Sequence, residues 1–341
     1  MTMLFSIIVP VYNRPQEVDE LLASLCEQTV KDFEVVIVED GSSEPCDAVC
    51  RRYAQQLDIR YLVKTNGGPS AARNYGAERA KGDYLLILDS DIIAPTTYIE
   101  EVVRELDCEP TDAFGGPDAA HPDFSPIQKA ISYSMTSFLT TGGIRGGKKK
   151  MDKFYPRSFN LGVKREVFEA LHGFDTSMRF GEDIDFSIRI FANGYKCRLF
   201  PEAWVYHKRR STFRQFFKQV HNSGIARIHL YMKCPKSLKL VHLLPTVFTL
   251  GVLGLVTLSI LGACLHIAWL TWAPLVCLLT YCAALFLDAS IQSKSIRVGC
   301  LAVVAAFVQL MGYGTGFLRA VWHCLIRKET DFQAFRKNFY K

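Results

Sequence analysis

Phe5-Ser6-Ile7-Ile8-Val9-Pro10-Val11-Tyr12-Asn13-Arg14-Pro15 begins apolar and ends on polar residues and a proline. Phe5–Val11 reads as a buried strand. Pro15 suits the first turn of a helix over Pro15–Gln28, with Asn13 placed as its cap. The pattern then repeats. Phe33–Val38 is a second apolar strand, closed by the turn Gly41-Ser42-Ser43, and Pro45–Leu57 reads as a helix. Ile59–Val63 is a third strand, Gly67-Gly68-Pro69 breaks the chain, Ser70–Ala80 is helical and Tyr84–Leu88 is a fourth strand. Strands alternating with helices at this spacing predict an α/β domain around a mostly parallel sheet, Rossmann-like and covered on both faces. Ligands of such sheets gather at the carboxyl ends of the strands. Three polar clusters lie there: Tyr12-Asn13-Arg14, Asp40-Gly41-Ser42 and Asp89-Ser90-Asp91.

The chain has 341 residues, 49% hydrophobic and 22% charged, which suits about two domains and excludes disorder. From residue 110 to 157 the periodicity loosens into glycine-rich loops, among them Gly142–Lys150 with Arg145 and three lysines. Order returns with a strand over Phe159–Val163, a helix over Lys164–Leu171, and a helix over Glu182–Asn193 that stops at Gly194. Leu240–Leu287 and Val298–Leu318 hold no Asp, Glu, Lys or Arg. The first stretch fits two membrane helices, at roughly 20 residues each, with a tight turn near His266–Trp272; the second fits a third. Gly312, Gly314 and Gly316, with the basic tail Arg319–Lys341, leave two or three spans open, because a basic tail prefers the inside.

Between Ala203 and Lys239 there are nine basic residues and no acidic one: Lys208, Arg209, Arg210, Arg214, Lys218, Arg227, Lys233, Lys236 and Lys239. Such a flank marks the cytoplasmic side of a membrane and attracts anionic lipids. No nucleic-acid recognition fold accompanies the charge, so no nucleic-acid partner is expected. Ser211–Tyr231 is amphipathic and suits the bilayer surface or an ordinary core-facing helix. The eleven cysteines are scattered, and the N-terminal apolar run lacks the basic flank of a signal peptide. The expected division is 1–210 soluble, 211–239 basic interfacial helix and linker, 240–321 membrane helices and 322–341 basic tail. The protein is expected in the cell (inner) membrane, multi-pass, with the soluble domain in the cytoplasm.

Asp89-Ser90-Asp91 follows a strand, and both carboxylates can reach one Mg²⁺ or Mn²⁺, ions that prefer oxygen ligands and bridge to phosphates. Alone the pattern is common in surface loops and also fits a cap for a helix over Thr96–Leu106. Asp40 can accept from the N3–H of uracil or simply close an Asx turn. Tyr12 can stack on a base, with the Pro10–Tyr12 backbone framing it, or pack in the core. Arg73 can reach a base or diphosphate, or stay solvated. Glu182-Asp183 at a loop-to-helix junction suits a general base, and also a helix start stabilised by its dipole. His207 suits a third metal ligand or the first residue of the basic run.

Four motifs occur in order: Ser6-Ile7-Ile8-Val9-Pro10-Val11-Tyr12-Asn13-Arg14; Val38-Glu39-Asp40-Gly41-Ser42-Ser43; Gly67-Gly68-Pro69-Ser70-Ala71-Ala72-Arg73-Asn74; and Gly82-Asp83-Tyr84 through Asp91. Together they resemble the family 2 inverting glycosyltransferases with a GT-A fold, over roughly residues 4–210. The resemblance implies a nucleoside diphosphate sugar as donor, a divalent metal, nucleotide contacts at Asp40 and Arg73 with Asp89 and Ser90 beside them, and Asp183 as general base with Glu182 orienting the acceptor. Asp185 is expected to be structural, Asn160 to touch a sugar, and the Gly142–Lys150 loop to close over a diphosphate or stay solvated. The Gln-x-x-Arg-Trp signature of processive synthases is absent, since Arg214-Gln215-Phe216-Phe217-Lys218 does not match it, so one sugar per acceptor encounter is expected. The acceptor implied is a hydroxyl on a lipid-linked or membrane-proximal glycan. A polyprenyl-phosphate sugar synthase, whose phosphate nucleophile needs no base, is the alternative, and a non-catalytic scaffold a third reading.

Overall fold

The structure is a computed structural model that describes residues 4–121, 123–141, 154–178 and 180–329. It divides into two units, Met1–His121 with Lys148–Lys208, and Pro122–Gly147 with Arg209–Lys341. The Gly142–Lys150 loop lies outside the described residues.

The first unit holds a seven-stranded sheet ordered β3-β2-β1-β4-β8-β6-β9. Its first half is β1 Phe5–Val11, α1 Pro15–Cys26, β2 Phe33–Asp40, α2 Asp47–Tyr53, β3 Asp58–Lys64, α3 Pro69–Ala77 and β4 Tyr84–Leu88. β5 Ile92–Ile93, α4 Tyr98–Cys108, β6 Ala113–Gly115 and β7 Asp118–Ala119 follow. After the second unit's α5 Pro126–Thr136 and α6 Phe138–Thr141, the chain returns with β8 Asn160–Lys164, α7 Arg165–Ala170, α8 Glu182–Ala192, β9 Cys197–Leu199 and β10 Val205–His207.

The strands β1, β2 and β4 form because their central residues are largely apolar on both faces. β2 and β4 are buried along their whole length, as a sheet covered by helices requires. α1 buries Val18, Leu21, Leu22 and Leu25, one stripe at helical spacing. β1 pairs in parallel with β2 on one side and β4 on the other. The strand order therefore reverses at β1, and the crevice beyond the ends of β1 and β4 is the place where such a sheet holds ligands. Past β4 the sheet turns antiparallel, with β8 between β4 and β6. A second, three-stranded sheet, β5-β10-β7, pairs His207 with Ile92.

Two local expectations are corrected. Asn13 does not cap α1: it has φ 53°, and its side-chain oxygen accepts from the Ser43 and Glu44 amides at 2.8 and 3.0 Å. Asn160 is 1% exposed and turned inward, donating to the Ala203 carbonyl and accepting from Tyr98 Oη, both at 2.8 Å, so its amide is taken up by the core.

The second unit contains α5, α6, α9 Phe213–Lys233, α10 Leu244–Cys264, α11 Ala268–Ser293 and α12 Ile296–Ala320. Helix α5 lies in the stretch whose loose periodicity predicts loops, yet Ser125 and Gln128 form a capping box at its start with Pro126 in the first turn. Among the described residues, three helices are long and apolar enough to cross a membrane: Leu240–Cys264, Ala268–Ser293 and Ile296–Ile326. Helix α11 runs on past the uncharged stretch through Asp288. That carboxylate accepts from Tyr133 Oη at 2.6 Å and from Gln292 Nε2 at 3.0 Å, which removes the reason to end the helix there.

The glycines of α12 sit in continuous helix and serve close packing. A Cβ at Gly312 would meet Val220 at 2.6 Å and one at Gly316 the His221 carbonyl oxygen at 2.0 Å, both on α9. A Cβ at Gly314 would meet Thr249 of α10 at 2.2 Å. Small residues spaced by four thus seat α9, and the one between them seats α10. Helix α9 buries Phe216, Ile225 and Ile228 while Arg214 and Lys218 stay exposed.

Candidate active site

The carboxyl end of β4 delivers Asp89-Ser90-Asp91, and the pairing of β5 with β10 brings His207 beside them. One ligand atom from each of Asp89, Asp91 and His207 lies within 4.8 Å of the others. His207 Nε2 is 3.2 Å from Asp91 Oδ1, the Lys208 amide donates to the Asp91 carbonyl at 3.0 Å, and the Phe159 ring stacks on the imidazole at 4.8 Å. Two carboxylates and an imidazole, held by strand pairing and an aromatic wall, are a donor set that fits Mg²⁺ or Mn²⁺.

Across the crevice, α8 starts at Gly181, whose φ of 78° lets the chain turn into the helix. Its first turn carries Glu182, Asp183 and Asp185. Asp185 pairs with Arg189 at 2.9 Å, which anchors the helix to the Gly173 carbonyl. Asp183 faces the crevice: its Oδ1 accepts from the Ile184 amide at 2.8 Å, and Arg157 Nε lies 3.3 Å from Oδ2. Burial, then the Asp183 charge beside it, push the Glu182 carboxyl up to about 7 against the pull of Arg73.

Arg73 joins the two sides. Nη2 lies 2.8 Å from Asp89 Oδ1 and Nη1 lies 2.9 Å from Glu182 Oε1. Acidic groups from the stretches near 90 and 182 therefore converge on one crevice, although 109 residues separate Arg73 from Glu182.

At the ends of β1 and β2 the picture differs in detail. Pro10 and Tyr12 are half-buried, but Val11 belongs to the core, so only its backbone is available there. Asp40, 2% exposed, pairs with Lys64 Nζ at 2.6 Å and accepts from the Gly67 and Gly68 amides at 2.9 and 2.7 Å. Gly41 next to it has φ 74°, and a Cβ would meet the Asn66 amide nitrogen at 2.8 Å. Asp40 thus organises the turn that leads into α3. Ser90 is buried. Three cations of the site were not singled out from the sequence: Lys64 on Asp40, Arg157 on Asp183, and Arg14, which lies 3.2 Å from Asp91. Only Arg14 carried a signal, as the last residue of the first motif.

Residues 6–172 match the Glycosyl transferase family 2 description. The chain carries a family 2 glycosyl transferase domain. The match ends before α8, so Glu182 and Asp183 lie beyond it. An uncharacterized glycosyltransferase of Haemophilus influenzae is 32% identical over 188 residues, covering 55% of this chain and 62% of its own. The uncharacterized glycosyltransferase EpsJ of Bacillus subtilis is 27% identical over 215 residues, covering 61% of this chain and 62% of its own. The chain thus spans under two thirds of the length of these relatives. A mannosyltransferase of Pyrobaculum calidifontis, solved with GDP-Man and Mn²⁺, superposes with a TM-score of 0.59 at 19% identity over 94% of this chain and 88% of that one. The family 2 domain has the GT-A fold, followed by the three apolar helices.

Proposed function

We propose that the chain is a membrane-anchored inverting glycosyltransferase. It would move a sugar from a nucleoside diphosphate sugar, with uridine favoured and guanosine open, to a hydroxyl of a lipid-linked or membrane-proximal acceptor. The observation that carries this reading is the Arg73 clamp, which holds the Asp89 side and the Glu182-Asp183 side around one crevice.

Asp89, Asp91 and His207 would hold Mg²⁺ or Mn²⁺, which supplies positive charge against that building on a departing diphosphate. Pro10, Val11, Tyr12, Asp40 and Ser90 border the strand ends where the nucleotide would lie. Asp183 acts as general base, with Oδ1 held by the Ile184 amide and Oδ2 beside Arg157 Nε. The acceptor oxygen bonds to the anomeric carbon as the bond to the diphosphate oxygen breaks. The proton passes to Asp183, and the sugar emerges with inverted configuration. Three apolar helices in the same chain would keep the enzyme beside a membrane acceptor, raising its effective concentration, with the basic flank on the cytoplasmic side of the inner membrane among anionic lipids.

The test pairs binding with turnover. Membranes carrying the full chain are incubated with labelled UDP-sugars and GDP-sugars, and lipid extracts are treated with mild acid. Wild type should yield labelled lipid from which mild acid does not release the label as a free monosaccharide, and Asp183→Asn should abolish labelling while Mn²⁺-dependent nucleotide binding survives. Near-normal turnover by Asp183→Asn would refute the base. Label released by mild acid as the free monosaccharide would instead identify a polyprenyl-phosphate sugar synthase.

A further inference from the structure

Helix α11 fixes the two surfaces of the bilayer it would cross. Asp288 stands about 30 Å along it from Ala268, a full hydrocarbon thickness. At the other end, Trp269 and Trp272 are exposed beside the His266–Ile267 turn from α10, as interfacial aromatics are. The α10–α11 hairpin thus makes one crossing each way.

Helix α12 does not follow that path. A third span leaving the end of α11 would run parallel to α10 and approach its far end at Cys264. Gly314 lies about 27 Å along α12 from Ile296. Yet a Cβ at Gly314 would meet the Pro245 carbonyl oxygen at 2.7 Å, in the first turn of α10. One turn earlier, the Leu310 carbonyl accepts from Thr249 Oγ1 at 3.3 Å. From Leu310 to Gly314 the helix therefore moves towards the start of α10. Its own start is at the same surface, since a Cβ at Gly299 would meet the Phe286 carbonyl oxygen at 2.9 Å, near the end of α11. Its last turns lie on α9, where a Cβ at Gly224 would meet the Phe317 amide nitrogen at 2.8 Å. Helix α9 carries exposed Arg214 and Lys218 and ends before α10 begins. No residue from Ala305 to Leu318 is exposed, whereas a span at the edge of a bundle shows one face to lipid.

We propose that the chain crosses the membrane twice, through α10 and α11, and that α12 lies along the surface from which α10 enters, packed against α5 and α9. The partner this layer fits is an anionic lipid surface. Lys239, Lys294, Arg297, Arg319, Arg327 and Lys328 then share one side, and the turn on the other side has no Lys or Arg. Three spans would send Arg319, Arg327 and Lys328 across. Exposed Trp322 and Ile326 beside them suit the headgroup boundary. The proposal goes beyond the glycosyltransferase reading and does not rest on it.

The test follows the side of each end of the full chain. A protease site with an epitope is added before Met1 in one version and after Lys341 in another. Protease is applied to sealed inner-membrane vesicles, inside-out or right-side-out, with detergent-opened vesicles showing that both sites can be cut. Two crossings predict that both epitopes are lost in the same vesicle orientation and kept in the other. Loss of the two epitopes in opposite orientations would place the C-terminal end across the bilayer and overturn the proposal. Loss of the C-terminal epitope in both orientations would overturn it as well. No turnover enters the readout, so a failure of the glycosyltransferase reading would leave this result standing.

Discussion

Replacing Glu182 by glutamine should flatten the pH dependence of folding stability. The carboxyl is raised from its ordinary 4.5 to about 7, chiefly by burial and then by the Asp183 charge, with Arg73 pulling the other way. The folded chain therefore holds this proton more tightly than the unfolded chain. Stability from the group is fully present below pH 4.5 and is lost as pH rises towards 7. At 1.36 kcal/mol per pH unit the loss is about 3 kcal/mol. For a unit of roughly 150–250 residues this corresponds to about 6–12 °C in melting temperature. Glutamine does not titrate, and the other carboxylates are common to both proteins. Thermal unfolding of the full chain in micelles, with chelator present and no nucleotide, is compared at pH 4.5 and pH 8. Wild type should lose about 6–12 °C more than Glu182→Gln between the two. Curves that stay parallel within about 2 °C would show that Glu182 is solvated or fully neutralised by Arg73, and the reasoning would fail.

Removing the imidazole in His207→Ala should raise the Mn²⁺ concentration that half-saturates UDP binding by about tenfold, the scale on which a site's partners act on metal affinity; an unchanged titration would take His207 out of the metal site. Gly162→Ala places a Cβ 2.0 Å from the Phe114 ring in a close-packed sheet, and overpacking of this kind costs about 1–3 kcal/mol, read as a lower melting temperature. Tyr133→Phe deletes the 2.6 Å bond to Asp288 and should cost about 1–3 kcal/mol in micelle unfolding with nucleotide affinity unchanged. Equal stability of Tyr133→Phe and wild type would mean that water or Gln292 replaces the phenol at Asp288.

Much of the parallel half of the first unit was legible because its signal is local. Continuous apolar runs such as Tyr84–Leu88 cannot be half-exposed strands, and Pro15 and Gly194 mark helix ends by their own backbone limits. What pairing brings together was not legible. No periodicity states that β8 enters antiparallel between β4 and β6, or that β10 lies against β5, although that contact brings His207 to Asp91. Asn13 and Asn160 depart from the sequence expectation for a related reason. An asparagine bonds whatever backbone comes near, and the backbone concerned belongs to Ser43 and Ala203, distant in sequence. Helix α5 is the opposite case. Its capping box is written in Ser125, Pro126 and Gln128, but the glycine-rich segments around it outweighed that signature.

The charges of the crevice explain why these long-range contacts would matter to the proposed nucleotide site. Asp89, Asp91, Glu182 and Asp183 face Arg14, Arg73 and Arg157, and each carboxylate has a guanidinium within 3.3 Å. With Glu182 protonated three negative groups face three positive ones, and as it ionises near pH 7 the acids outnumber the arginines by one. A bare diphosphate gains nothing from such a field, whereas a divalent cation complex does. The arginines also offset the repulsion of four carboxylates in one small volume, although burial and the Asp183 charge still raise Glu182. Sequence motifs mark the carboxylates. Of the cations that make their closeness tolerable, Arg14 and Arg73 stand in the first and third motifs and Arg157 in none, and that balance would let a metal ion and a proton acceptor share one crevice.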